Sequence, residues 1–145
     1  WRLFERMMDN FIITESSGRV FRGTADGEYA VGLTLEEAAH RFYVGGAPVV
    51  LIYPEEGTSA LPDGVALIKN GPNPENGKRF IDFVLSKPIQ ELLVERMQRR
   101  SVRVDVGAPT GLVPLSELKI TNYDLNGAAE NRDRIIRRYQ ALARR

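Results

Sequence analysis

Ser16, Ser17 and Gly18 are the residues whose types and spacing best suit the binding of an anion. They precede an apolar stretch that predicts a short helix over residues 20–25, and the first turn of a helix presents free backbone N–H groups and a partial positive charge. The two hydroxyls add donors, Gly18 lets a ligand approach the backbone closely, and Arg19 could add charge. A plain helix cap, in which a serine oxygen accepts a backbone hydrogen bond, explains the same residues and is the simpler interpretation.

Thr34 is the second polar residue expected at a helix start. Thr34 and Glu37 fit the capping-box pattern, in which each side chain satisfies a backbone N–H of the first turn, so no ligand is needed to explain them. The apolar residues that follow have helical spacing, and Gly45-Gly46 predicts the end of this helix.

His40, the single histidine, falls on the polar side of that helix, so we expect it to be solvated. No serine or aspartate has a spacing that indicates a catalytic triad. Glu36-Glu37 and Glu55-Glu56 are acidic pairs, but neither has a histidine or an Asp-x-Asp pattern beside it, and we interpret them as solvated faces and caps. We therefore expect no catalytic residue, no metal site and no cofactor, and hence no enzyme.

The composition excludes several classes of protein. The chain has 145 residues, enough for one domain, with 20 basic and 19 acidic residues and no cysteine. This balance does not favour nucleic-acid binding, a disulfide framework or a thiolate metal site. The last predicted helix, over 135–142, is rich in arginine, which could bind an anionic partner but is the usual pattern of a solvated face. No apolar run reaches the length of a membrane-spanning helix.

The order of elements indicates an α/β fold. Residues 29–33 predict a strand of small residues, 34–44 a helix, and 49–53 a buried strand between two prolines. Residues 65–69 predict a further strand. Helices are expected over 1–10, from Asn73-Pro74 and from Ser86-Lys87-Pro88, and 101–127 is mostly irregular. Trp1, Phe4, Met7 and Met8 share one helical face without a cap before them, so we interpret the chain as starting inside a helix.

Seven motifs in this order resemble the extracellular solute-binding proteins of the ferric-iron, phosphonate and sugar-phosphate type, the type II periplasmic binding proteins. The similarity covers about residues 1–100 well and the tail more loosely. The motifs are Ser16 to Val20, Ala25 to Thr34, Glu36 to Ala39, Gly45 to Val49, Pro54 to Thr58, Pro62 to Lys69, and Asn73 to Ser86.

The resemblance implies a carboxy-terminal part of a two-lobed protein that feeds an ABC importer outside the bacterial cytoplasmic membrane. Residues 1–55 would belong to the second lobe, and residues 56–145 would supply a crossing segment and helices that pack on the first lobe. The expected fold is a partial one, a small and mostly parallel sheet with flanking helices. The expected partners are a small solute and a membrane permease, but no nucleic acid. A homodimer formed by exchange of elements would compensate for a missing lobe.

The resemblance also bears on the ligand, which would be held between the lobes. Relatives that bind ferric iron through tyrosinates carry a Tyr-Tyr pair just after the strand that matches 29–33, where this chain has Thr34 to Glu37. Fe³⁺ is therefore disfavoured, and a phosphate- or carboxylate-bearing solute is expected. The effector-binding domain of a transcription regulator remains an alternative. The predicted ligand-binding set is Ser16, Ser17, Gly18, Gly32, Thr34, Gly57 and Thr58.

Overall fold

The computed structural model describes residues 1–143, and within them the chain is helical. Seven α-helices follow one another along the sequence, with a single 3-10 turn at Leu115–Glu117 between the fifth and the sixth. The helices are α1 (Arg2–Met8), α2 (Ser17–Ala25), α3 (Glu36–Val44), α4 (Pro74–Leu85), α5 (Lys87–Met97), α6 (Leu125–Glu130) and α7 (Arg132–Ala143).

The helices expected from the sequence are confirmed, although α2 begins at Ser17 rather than at residue 20, and glycine follows the ends of α2 and α3. Helix α2 ends at Asp26-Gly27, where Gly27 has φ of +78°, and α3 ends at Gly45-Gly46, where Gly46 has φ of +86°. Glycine takes this left-handed conformation at little cost, so it terminates a helix well. Proline stands in the first turn of both α4 and α5, a position at which its missing N–H is not needed.

The expected parallel sheet is wrong. Residues 29–33, 49–53 and 65–69 lie outside the helices, but none is assigned to a strand, and the β pairing in the described part of the chain is one parallel bridge between Thr58 and Ile120. An apolar, β-branched run favours an extended backbone, but a strand also needs a neighbour whose N–H and C=O groups face its own. The sequence pattern does not identify that neighbour, and no described segment supplies it.

Apolar side chains in these three segments are consequently open to solvent. Val31 is 80% exposed, Ile52 83% and Ile68 79%. Buried apolar side chains in the described residues are few, Ala38 and Leu142 being the main ones. The accessible surface of the chain is 11725 Å², whereas a compact monomer of this mass would expose about 7,500 Å². Packing is therefore between pairs of helices rather than around one core, and the pairs are α2–α3, α4–α5, α1–α7 and α6–α7.

Candidate functional site

Ser16 lies at the N-cap of α2, which begins at Ser17 rather than at the predicted residue 20, and its side chain makes no capping hydrogen bond. The backbone there is extended, and Thr14 donates its hydroxyl hydrogen to the Ser16 carbonyl over 2.9 Å. Ser16 and Ser17 are exposed, and Gly18 is half-buried. The Ser16 hydroxyl at the start of α2 is thus not engaged by the helix itself.

Arg22, which the sequence interpretation passed over, supplies the charge beside this turn. A Cβ built on Gly18 would lie 3.7 Å from Arg22 Nη2, 3.7 Å from Ser16 Oγ and 3.8 Å from Phe21 Cζ. The Arg22 side chain therefore runs back along α2 towards its first turn, as side chains on a helix tend to do. The signal in the sequence was the four-residue spacing between Gly18 and Arg22, which places both on one face.

Arg19, by contrast, is engaged elsewhere. Its Nη2 donates to Glu28 Oε1 over 2.8 Å, and its Nε donates to the Tyr29 hydroxyl over 3.2 Å. The hydrogen bond to Tyr29, followed by the charge of Glu28, raises the pKa of Arg19. Arg19 ties the first turn of α2 to the segment that follows the helix and is not positioned as a free charge for a ligand.

Gly32 brings the next extended segment against α2. A Cβ at this position would lie 2.5 Å from Thr24 Oγ1 and 3.1 Å from Val20 Cγ1, so a side chain would force the two apart. The Thr24 hydroxyl itself donates to the Val20 carbonyl over 2.8 Å, which is a bond within the helix. Gly32 therefore has a packing role, and it places the segment leading to Thr34 beside the helix that begins at Ser17.

The capping box predicted for Thr34 is wrong. Helix α3 begins at Glu36, its N-cap is Leu35 without a side-chain hydrogen bond, and Thr34 is exposed before it. The shift by one residue has a physical cause: Glu36 and Glu37 bind arginines far along the chain rather than the backbone. Glu37 Oε1 lies 3.4 Å from Arg99 Nη2, and Arg99 also pairs with Asp63.

Glu36, Tyr53 and Arg100 form a charged cluster at the start of α3. Arg100 Nε donates to Glu36 Oε2 over 2.7 Å, and its Nη2 donates to Glu36 Oε1 over 2.8 Å and to the Val113 carbonyl over 2.7 Å. The Tyr53 hydroxyl donates to Glu36 Oε1 over 2.5 Å. The cluster joins α3 to the segment at 49–53 and to the chain after α5, and no residue of the predicted binding set belongs to it.

Burial and charge act in opposite directions on the pKa of Glu36 in this cluster. Partial burial would raise the pKa of Glu36, but the hydrogen bonds from Arg100 and Tyr53 outweigh it and lower the pKa below its ordinary value. Partial burial and the bond to Glu36 raise the pKa of Tyr53. The bond to Glu36 raises the pKa of Arg100. Glu36 and Arg100 are therefore held as an ion pair, and Tyr53 is held protonated, which suits a structural link.

The expectation that His40 is solvated is also wrong, because it is 1% exposed. Its Nε2 lies 3.0 Å from the Thr110 carbonyl, and its ring stacks on Tyr43 with centroids 5.9 Å apart. Pro109 is buried as well, and Gly111 lies close to the imidazole. The helical pattern placed His40 on a polar face correctly, but the irregular segment around Pro109 folds over that face, which periodicity does not reveal.

Gly57 and Thr58 use their backbone to hold a distant segment. Thr58 N donates to the Lys119 carbonyl over 2.9 Å, and Thr121 N donates to the Thr58 carbonyl over 2.9 Å. Gly57 has φ of +120°, and a Cβ there would lie 2.8 Å from the Lys119 carbonyl oxygen. These two residues form a junction with residues 119–121, and this junction accounts for them without a ligand.

The predicted binding residues fall into two groups. Five lie on or beside α2 and the segment leading to α3, namely Ser16, Ser17, Gly18, Gly32 and Thr34. Gly57 and Thr58 lie at the junction with 119–121, and no hydrogen bond within residues 1–143 joins them to the first group. The same described part of the chain holds no group of three His, Asp or Glu side chains placed to bind a metal ion, and no helix long and apolar enough to cross a membrane.

An open groove lies between α2 and α3, with a volume of about 560 Å³. The Phe21 and Phe42 rings meet in it with centroids 5.3 Å apart, tilted by 47°. Arg22 and Arg41 also line it, and its lining contains no acidic residue. We call it the α2–α3 groove; its lining is Phe21, Arg22, Arg41, Phe42, Gly45 and Ala47.

Comparison with known proteins identifies the family of this chain. The model of the family described as bacterial extracellular solute-binding protein matches residues 1–96. An uncharacterized protein of Haemophilus influenzae is 33% identical over 131 residues, which is 87% of this chain and 38% of that relative's length. No solved structure shows significant similarity to the chain. Because the family model covers well over half of its residues, the chain belongs to the bacterial extracellular solute-binding proteins.

Proposed function

We propose that this chain is part of the solute-binding component of an ABC importer. It captures a small solute that bears a phosphate or carboxylate group, outside the bacterial cytoplasmic membrane, and a membrane permease receives that solute. Membership of the solute-binding family supports the binding role. The observation that favours an anion is the first turn of α2, where the Ser16 hydroxyl is not used as a cap.

The chemistry of this turn suits an anionic group. The first backbone N–H groups of a helix lack partners within it, and the aligned peptide dipoles add a partial positive charge. The Ser16 and Ser17 hydroxyls add two donors, and the Arg22 guanidinium lies beside Gly18. A phosphate or carboxylate would accept hydrogen bonds from all of these groups, and bonds to a charged acceptor are the stronger kind.

The exposed surface supports a role within a larger assembly. The chain exposes 11725 Å², on the order of 4,000 Å² more than a compact monomer of its mass. Within this proposal residues 1–55 belong to one lobe, residues 56–145 supply the crossing segment and the helices that pack on the other lobe, and further protein covers the exposed apolar side chains. A second copy of the chain, exchanging elements, would cover them in the same way.

Light scattering on the isolated 145-residue chain tests whether two copies of the chain exchange elements. Self-association, with the exposed apolar side chains protected from solvent in the oligomer, is the expected outcome. A monodisperse monomer over a hundredfold range of concentration would contradict exchange between copies but would leave the binding role intact.

Calorimetric titration with glucose 6-phosphate, methylphosphonate and ferric citrate tests the ligand class. The anionic group should bind through α2, so replacing Ser16 and Ser17 together by alanine should weaken binding about a hundredfold, since two hydrogen bonds to a charged group are lost. Ser59→Ala is the matched control, because Ser59 is exposed in a loop. Binding of ferric ion alone, with the colour of an iron–tyrosinate complex, would refute the proposal.

A further inference from the structure

We infer that the α2–α3 groove binds a small organic anion with a flat apolar body, such as an aryl phosphate or an aromatic carboxylate. Two observations carry the inference, the paired phenylalanine rings and the two arginines that converge on them. It goes beyond solute capture. The groove shares Arg22 with the first turn of α2, so Arg41 and Phe42 are the residues that distinguish the two sites.

The apolar part of the site is formed by the two helices together. Phe21 comes from α2 and Phe42 from α3, and their rings are half-buried with centroids 5.3 Å apart. Gly45 and Ala47 add little bulk on the side where α3 ends, which leaves the groove open. Its volume of about 560 Å³ lies in the range that small ligands occupy, and a flat ring can pack against such a floor at 4.5–7 Å between centroids.

The charged part of the site is formed by Arg22 and Arg41. Neither guanidinium has a carboxylate within salt-bridge distance among residues 1–143, and both side chains are exposed. A lack of partner alone says little, since solvated arginines are common on protein surfaces. Here both arginines line one concavity whose lining has no acidic residue. A guanidinium presents several donors in a plane, so it binds phosphate or carboxylate and stacks on aromatic rings.

A helix-dipole role does not account for this arrangement. Both arginines stand in the last turn of their helices, where a positive charge is favourable. The Arg22 guanidinium, however, lies beside Gly18 at the opposite end of α2, away from the terminal carbonyls. Arg22 therefore lines the groove while its guanidinium reaches towards the first turn of α2, and Arg41 lines the same groove from α3.

Amide chemical shifts of the isotope-labelled 145-residue chain test this inference. Phenyl phosphate, inorganic phosphate and benzyl alcohol serve as probes of the complete ligand, its anion and its apolar body. We expect phenyl phosphate to shift the amides of residues 41–47 and to bind about tenfold more tightly than either fragment, because ring and charge contribute together. Arg22→Gln and Arg41→Gln should each weaken this binding about tenfold, whereas Arg96→Gln, an exposed arginine in α5, should not.

Three outcomes would overturn the inference that the α2–α3 groove binds an aromatic anion. These are shifts confined to residues 16–18, equal affinity for phosphate and phenyl phosphate at the groove, or binding of benzyl alcohol as tight as that of phenyl phosphate. Shifts at 16–18 alone would leave the proposed solute-binding role standing, so the two hypotheses fail separately. Phe42→Leu keeps the groove apolar while removing one ring, and it should weaken phenyl phosphate more than inorganic phosphate.

Discussion

The guanidinium of Arg100 holds both carboxylate oxygens of Glu36, at 2.7 and 2.8 Å, although 64 residues separate them in the chain. The Arg100 side chain is 18% exposed and that of Glu36 26%, so solvent screens the pair only in part. Arg100 also donates to the Val113 carbonyl. One side chain thereby connects the first turn of α3 with two segments that follow α5.

Arg100→Gln should lower the free energy of unfolding by about 2 kcal/mol, because Glu36 would remain half-buried without its cation. Urea denaturation monitored by circular dichroism measures this. Arg132→Gln is the control, since Arg132 pairs with the adjacent Asp133 and both side chains are exposed. Equal effects of the two substitutions would show that the Glu36 pair does not hold the fold.

The stability of the chain should fall at acid pH in part through Glu36. Its pKa is lower in the folded chain than the ordinary value of about 4.3. The stability it contributes is therefore complete above that ordinary value and is lost as the pH falls through the folded one. Urea midpoints between about pH 3 and pH 7 should show a shallower decline for Glu36→Gln than for the unchanged chain. An equal decline of the urea midpoint in both proteins would contradict a contribution of Glu36 to the acid dependence.

Tyr53 should produce the opposite dependence at alkaline pH. Its pKa is raised by burial and by the bond to Glu36, so its contribution is complete below the ordinary value of about 10 and is lost as the pH rises through the folded value. On alkaline titration, tyrosinate absorbance should show a late step that belongs to Tyr53. Tyr53→Phe should remove that late step; a late step that persists in the variant would belong to another tyrosine.

Gly57→Ala should destabilise the junction between residues 57–58 and 119–121. Gly57 has φ of +120°, and the added Cβ would meet the Lys119 carbonyl oxygen at 2.8 Å. Strain of this kind costs about 1–3 kcal/mol, and the amides of Thr58 and Thr121 should exchange faster with deuterium. Gly64→Ala is the control, because no atom lies within 4 Å of its Cβ position. Unchanged exchange at both amides would show that the junction tolerates the side chain.

His40→Leu should loosen the irregular segment that covers α3. The substitution keeps an apolar side chain of similar size but leaves the Thr110 carbonyl without its donor, which costs about 1–3 kcal/mol. Hydrogen exchange should rise around Pro109 to Leu112. Tyr43→Leu, which removes the stacked ring and keeps the histidine, should have a smaller effect, since Tyr43 is 50% exposed. A larger effect of Tyr43→Leu would show that the stacked tyrosine ring, rather than the histidine hydrogen bond, holds the irregular segment over α3.

Local features of this fold could be predicted from the sequence, and pairings across the chain could not. Helix ends at Asp26-Gly27 and Gly45-Gly46 follow from the conformational freedom of glycine, a property of the residue itself. The capping box expected from Thr34 and Glu37 is wrong because Glu37 pairs instead with Arg99, a partner 62 residues away. The predicted sheet is wrong for the same reason. Strand pairing depends on a second segment, which the periodicity of the first segment does not identify.

In the candidate site, too, local features could be predicted from the sequence and contacts between helices could not. The serines before α2 indicated a helix start, because N-cap preference is local, but the predicted start at residue 20 is three residues late. Arg22 could have been noticed from its spacing to Gly18. The convergence of Arg41 with Arg22 depends on how α3 packs on α2, which the helical pattern of each does not contain.

The links from α3 and from Thr58 to the later part of the chain also constrain how it folds. The hydrogen bonds 36–100, 37–99, 40–110 and 58–121 span 62 to 70 residues each. Closing the first such loop costs on the order of 4 kcal/mol of chain entropy, but each further link then closes a far shorter effective loop. The four links should therefore form and break together, and α3 should gain its final stability only when the residues that follow α5 pair with it.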